Sequence, residues 1–165
     1  MKITPNRMRW GLSLWPPFFF NAIRVQYIAN DWRSARVVLR KRWYNRNYVN
    51  TQFGGNLFAM NDPFWMLLVM QLLGSDYIVW DKAATIEFVT PGRGDVFAEF
   101  TIDDAVLTTI RDATANGDKY LHWFENSVHD KAGVVIAKVR KQVYVRRKSP
   151  KMSATSAKSP NTVSH

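Results

Sequence analysis

Cysteine is absent from all 165 residues. That excludes a disulfide framework, a thiol nucleophile and any thiolate metal site. Histidine is scarce, with three far apart in sequence, His122, His129 and His165. No zinc site is expected on that spacing, and no metal or other cofactor. Long apolar runs are also missing. The longest, Leu57 to Leu73, is cut by Asn61, Asp62, Pro63 and Gln71, and spanning a bilayer takes ~20 mostly apolar residues. No transmembrane segment is therefore expected. The first residues, MKITPNRMRWGLSLWPPFFF, contain neither a clean apolar h-region nor a small-residue cleavage site, so a cytoplasmic location is expected rather than secretion.

Acidic residues are scarce at both ends. Residues 1–50 carry ten Lys/Arg against one acid, and residues 131–165 carry nine against none. Between them, residues 51–130 hold twelve acids and four bases. The net charge of +10 thus sits on two basic ends flanking an acidic middle. Brought together, such ends make a surface suited to phosphates. Hydrophobic residues make up 47% and aromatics 14%, enough for one globular core at this length.

Short-range patterns set out the elements. Met8, Leu12 and Trp15 are spaced for a short amphipathic helix at about 5–15, packed on its own domain or touching a membrane. Residues 21–29 and 34–43 read as strands. In the second, Ala35, Val37 and Leu39 share one face and Arg36, Arg40 and Arg42 the other. A helix is expected from about Gly55 to Leu73, closed by Gly74. Strands follow at about 78–89 and 95–102, joined by TPGRG. A small helix at about 103–115 comes next. Two long strands, about 119–130 and 134–146, end the domain; in the last, Val135, Ala137, Val139, Val143 and Val145 alternate with Lys138, Arg140 and Arg146. Residues 1–147 are thus read as one domain and 148–165, rich in Ser, Lys and Pro, as a disordered tail. A helix apolar nearly all round needs a sheet that wraps it. The expected class is α+β, an antiparallel sheet of about six strands around one long central helix.

The stretches YNRNYVNTQFGG, LFAMNDPFWMLL, VWDKAATIEFVTPGRGDVFAEF, KYLHWF and VRKQVYVRRK agree in order and spacing with the hotdog fold. From about Leu14 to Arg147 the chain resembles the poorly characterised domain-of-unknown-function branch of that superfamily. It is similar to acyl-CoA thioesterases of the phenylacetyl-CoA type. Those carry an Asn, six residues later a His-Gly-Gly, and an acid on the central helix nine after the His. Here Asn47, Gly54, Gly55 and Asp62 fall at the matching positions, while Phe53 stands where the His would be. The resemblance implies a homodimer, or a tetramer built from it, with the site between subunits. It further implies an acid from one subunit and glycine amides from the other.

The residue chemistry is compatible with that site. Thioester hydrolysis needs an activated water or a nucleophile, and donors for the developing oxyanion. Amides at a helix N-terminus are unpaired, and Gly54 and Gly55 admit close approach. Asp62 could activate water or attack directly. Asn47 could bind substrate or fix its loop. Phe53 would line the pocket, and Arg36, Arg40, Arg140 and Arg146 could meet coenzyme A phosphates. Each has a plain structural alternative. The glycines could be only a tight helix entry, Asp62-Pro63 a helix cap, and the arginines a solvated face. His122 and His129 lie on one expected strand and suit structural roles, though His122 could supply the ring missing at Phe53.

Three functions remain open on the sequence. The first is an acyl-CoA thioesterase-like protein acting on acyl-CoA or another acyl thioester. The second is a hotdog module that binds such a ligand without hydrolysing it, favoured by Phe53. The third is a peripheral binder of anionic membrane or nucleic acid through the basic ends. No nucleic-acid recognition motif is present, so nucleic acid is not expected as a partner.

Overall fold

The structure is a computed structural model and describes residues 3–148. The expected tail, from residue 149 on, lies outside the described residues. Helix α1 (Pro5–Leu14) starts where Thr4 Oγ1 accepts from Arg7 N at 3.3 Å, with Pro5 in the first turn, a favoured start because the missing proline N–H would be unpaired anyway. A short turn of helix, α2 (Pro16–Phe19), carries the chain into strand β1 (Ile23–Ile28), and β2 (Ser34–Leu39) returns beside it.

The central helix comes as two segments, α3 (Gly54–Ala59) and α4 (Phe64–Leu73). Pro63 causes the division. It has no amide hydrogen and crowds the preceding turn, so residues 60–63 form turns instead of a continuous ladder. Gly74, at φ 82, ends α4. Then follow β3 (Tyr77–Phe88), β4 (Val96–Thr101), α5 (Asp104–Ala113), β5 (Lys119–Asp130) and β6 (Val135–Arg147). Asp103 caps α5 by accepting from Val106 N at 2.8 Å.

All six strands form one antiparallel sheet in the order β1-β2-β4-β5-β6-β3. Its inner face closes on the helix. Phe64 stacks on Phe100 at 4.8 Å between ring centroids, and Trp65 on Phe124 at 4.6 Å. Ala35, Val37 and Leu39 point into this core, as the alternation predicts. Strand β2, however, stops at Leu39 and not near residue 43. Arg40 N turns to Ala22 O, Lys41 N to Asp95 Oδ1, and Asn45 Nδ2 donates to both Asn21 O and Arg40 O. These bonds draw residues 40–45 out of the ladder, so Arg40 and Arg42 leave the strand face assigned to them.

The two sheet edges are treated differently. On β1, Val25 N donates to Ser13 Oγ at 3.1 Å and Arg9 reaches Gln26 O at 3.4 Å, so α1 covers that edge. On the far side, β3 pairs only with β6, and its outer edge of 12 residues has no strand partner among the described residues. Among the same residues no helix is long and apolar enough to cross a membrane.

Phe64 is 1% exposed and touches rings from α2 and β4. Phe64→Ala is expected to cost about 3–5 kcal/mol of stability through lost contact and a residual cavity, read as a lowered urea midpoint at unchanged m-value.

Candidate functional site

Two clusters carry the polar chemistry, one at the Phe88 end of β3 and one beside the middle of that strand, where Asp81 meets Lys141. The first is a cleft of about 480 Å³ at the Phe88 end, whose walls include Asn47, Gln52, Phe53, Gly54 and Phe88 together with the 89–92 turn. Asn47 holds its own loop. Its Oδ1 accepts from Thr51 N at 2.9 Å and its Nδ2 donates to Thr51 Oγ1 at 2.8 Å. Both ends of the amide are therefore engaged in shaping the wall. Gln52 is buried; its Nε2 donates to Gly94 O at 2.9 Å and its Oε1 has no partner among the described residues. That spare acceptor was not singled out from sequence, since a polar residue in a loop carries no burial signal.

Gly54 and Gly55 open α3. The first intrahelical bonds come from Asn56 N and Leu57 N, both to Phe53 O at 3.0 and 3.1 Å. The amides of Gly54 and Gly55 are thus not spent inside the helix. Two phenyl rings pack against the Cα atoms of these glycines. A Cβ at Gly54 would meet Phe88 Cζ at 2.8 Å, and one at Gly55 would collide with the Phe53 ring. Both rings are more than half exposed, so they form the movable outer wall of the cleft.

The second cluster centres on Lys141, whose side chain is 3% exposed. Its Nζ donates to Asp62 Oδ1 at 2.5 Å and to Asp62 O at 2.6 Å, and it lies 2.8 Å from Asp81 Oδ2. Asp62 thus does not cap α4, which has no side-chain cap bond. Its carboxylate, half exposed, is held by the ammonium at the break between α3 and α4. Burial pushes the Asp81 carboxyl above its ordinary 3.8, against the lowering effect of Lys141, and the nearby Asp62 charge adds to the rise. Next to it, Asn61 is buried yet satisfied: Nδ2 donates to Leu57 O at 2.7 Å and Oδ1 accepts from Asn126 Nδ2 at 2.6 Å. Asn126 in turn accepts from Trp65 Nε1 at 3.2 Å.

Lys141 was missed as a site residue, although its signal was present. It stands two residues after Val139 and two before Val143, so period-two alternation alone turns it inward.

The remaining candidates are dispersed. Asp62 is not a wall of the cleft in its own chain. Arg36 lies on the outer sheet face, 3.3 Å from Glu99 and over the Phe97 ring. Arg140 pairs with Glu125 at 2.6 Å and lies over Trp123. Arg146 Nε donates to Gly117 O at 2.8 Å. Arg40 is exposed at the end of β2. None of the four lines the cleft; the basic residue beside it is Arg93, exposed in the TPGRG turn. His122 packs against Tyr120 and Phe124 and sits opposite Val143, itself opposite Asp81, so it does not supply a ring at Phe53. Burial lowers its pKa below the ordinary 6.5, with Asp103 opposing. His129 lies beside Phe97. No group of three or more metal-ligating side chains occurs among the described residues.

Residues 6–145 match the family described as Domain of unknown function (DUF4442). The chain belongs to the DUF4442 family. No curated protein matches it. Solved structures do. One is PA5026 of Pseudomonas aeruginosa, a protein of unknown function and probable thioesterase, at 18% identity, covering 87% of this chain and 96% of that one with a TM-score of 0.75. A second is thioesterase HI1161 of Haemophilus influenzae, at 10% identity, 89% and 93% coverage and a TM-score of 0.65. A third is the E. coli PaaI protein from the phenylacetic acid degradation operon, at 14% identity, 87% and 92% coverage and a TM-score of 0.60. At such identities the likeness establishes the fold. This DUF4442 chain has the hotdog fold, with its sheet closed on a broken central helix.

Two outcomes follow from the polar clusters. Lys141→Met leaves Asp62 and Asp81 facing each other unpaired. A loss of about 2 kcal/mol in chemical denaturation is expected, below the ~3–5 kcal/mol of a fully buried pair because Asp62 is half exposed. For His122 the folded pKa lies below the unfolded one, so the unfolded chain takes up the proton first. Its stabilisation is complete above pH 6.5 and is lost as pH falls through the lowered folded value. Melting temperature should therefore decline less steeply below pH 6.5 in His122→Gln than in the wild type.

Proposed function

We propose that this DUF4442 protein is a thioester hydrolase acting on acyl-CoA or a related acyl thioester, with each site shared by two subunits. The observation that carries this reading is the separation of the two clusters along β3, the strand with a free edge. Antiparallel pairing of two β3 edges, with the two-fold axis between Ala84 and Thr85, sets Asp81 of one strand beside Phe88 of the other. Asp62 of one copy, held by Lys141, then approaches the Gly54–Gly55 cleft of its mate. Pairing through β3 also removes the exposed edge that α1 removes on β1.

In such a site the amides of Gly54 and Gly55 receive the oxyanion as the thioester carbonyl is attacked. Asp62 accepts the proton of the attacking water and returns it to the carrier thiolate as the C–S bond breaks, or attacks itself to expel that thiolate and leave an anhydride that water opens; Lys141 holds that carboxylate toward the cleft. Asn47 keeps the wall that positions the acyl group. The spare Gln52 oxygen takes a donor from the carrier arm, and Arg93 its phosphates. A carbonyl must pass Phe53 and Phe88, which pack against these glycines, to reach the amides. That requirement favours a second reading, a module that binds the thioester without cleaving it, with Phe53 shutting the oxyanion position.

A panel of acyl-CoA thioesters scored for thiol release and for binding separates the two. Under the hydrolytic reading, Asp62→Asn keeps fold and dimer and lowers turnover at least about tenfold, or about 1.4 kcal/mol in the barrier. Gly55→Ala also lowers it, because the methyl and the Phe53 ring compete for one space. Unchanged turnover in Asp62→Asn would remove the carboxylate from the chemistry. Binding without thiol release would select the module. Light scattering that finds only 19.1 kDa particles at micromolar concentration would exclude a shared site.

A further inference from the structure

The β1–β2 side of the sheet carries an aromatic surface that neither the core nor the candidate site uses. Two pieces of chain build it. The first contains α1 and α2 and exposes Leu14, Trp15, Phe19 and Phe20, the last at 70%. The second is the loop after β2, which exposes Trp43 at 80% and Tyr44 at 50%. Hydrogen bonds fasten the two together: Asn45 Nδ2 to Asn21 O at 2.8 Å and Arg40 N to Ala22 O at 3.1 Å. The apolar groups therefore sit side by side on one end of the β1–β2 side of the sheet. β3, the free edge, is four strands from β2, so pairing through β3 leaves this surface uncovered.

Its charge is predominantly positive. Arg24 lies 4.9 Å from the Phe19 ring centroid and Arg9 4.6 Å from that of Trp10. Arg40 and Arg42 precede Trp43 in exposed positions, and their guanidinium groups make no hydrogen bond or ion pair among the described residues. The one acid in residues 1–50 is Asp31, in the turn at the far end of β1. Asp95 accepts from the Lys41 backbone amide and is the acid nearest this surface, where Arg9, Arg24, Arg40, Lys41 and Arg42 outnumber it. Exposed Trp, Phe and Leu ringed by arginine match a surface that lies in the headgroup layer, rings in the acyl boundary and guanidinium groups on phosphates.

We propose that this face docks the protein on an anionic lipid bilayer. Nucleic acid fits less well. Phe19–Phe20 and Trp43–Tyr44 are each packed at 90°, edge to face, so in each pair one ring face is taken by its neighbour instead of offered to a base. Leu14 has no role in base stacking. The proposal does not depend on the thioester reading, since it concerns residues outside the cleft and the Lys141 cluster.

The test uses the full chain with vesicles of phosphatidylcholine alone, vesicles containing phosphatidylglycerol, soluble heparin and a single-stranded oligonucleotide. Co-sedimentation with the anionic vesicles is expected, weakened by salt, with a blue shift in tryptophan emission and quenching by brominated lipid. The double variant Phe20→Ser, Trp43→Ser should lose at least about tenfold in vesicle affinity because bound strength scales with buried apolar area, with an unchanged melt and oligomer size. Arg40→Gln with Arg42→Gln should weaken binding to anionic vesicles and leave the melt alone. The proposal is overturned if neither vesicle binds, or if the double variant binds as well as wild type. Equal binding to heparin without an emission shift overturns it, as does preference for the oligonucleotide. A wild-type particle that grows with concentration, while the double variant does not, would assign the face to a second copy of the chain.

Discussion

One buried ammonium, Lys141 Nζ, ties the break in the central helix to the sheet that encloses it. Interrupting an apolar helix under a sheet frees backbone groups that water cannot reach, and each must find a partner. The Asp62 carbonyl finds it in Lys141, and the Asp62 and Asp81 carboxylates share the same charge. The Asn61–Asn126–Trp65 chain of bonds closes the other side of the break. Residues 60–63 can therefore leave helical geometry without leaving the packed interior. A carboxylate at the break is kept in place on the protein's surface instead of being drawn inside.

The unequal edges of the sheet give this arrangement its direction. Helix α1 spends Ser13 and Arg9 on β1, while β3 is left with its bonding groups outward. β3 also spans the distance between the Asp81–Lys141 cluster and the Phe88 cleft. Closing one edge inside the chain and leaving open the edge that bears both clusters is what makes a shared site the economical reading. The two phenyl rings beside Gly54 and Gly55 then become the element on which hydrolysis or mere binding turns, because they pack against the glycines whose amides a thioester would have to reach.

Much of the fold was legible because it rests on short periods. Alternation placed Ala35, Val37 and Leu39 inside, and Gly74 and Asp103 marked helix ends through conformational and capping preferences local to them. The length of β2 was overestimated because its end is decided by Asn45 and Asp95, residues that reach it only in the folded chain. The candidate site was legible in part. Gly54, Gly55 and Asn47 came out beside one cleft, whereas Arg36, Arg140 and Arg146 proved engaged on the outer face or at its margin.

By itself the sequence determined that six alternating strands must wrap a helix apolar on nearly every side, and that Pro63 must break that helix. It also turned Lys141 inward, since a strand's side chains alternate whatever surrounds them. Only the tertiary structure decided what Lys141 meets. Asp62, Asp81 and Lys141 come from a turn and two different strands, and no local rule relates positions so far apart in the chain. The same holds for the rings beside the glycines and for the open edge of β3. Contact and burial are properties of the packed sheet, and they arise only once every strand has its neighbour.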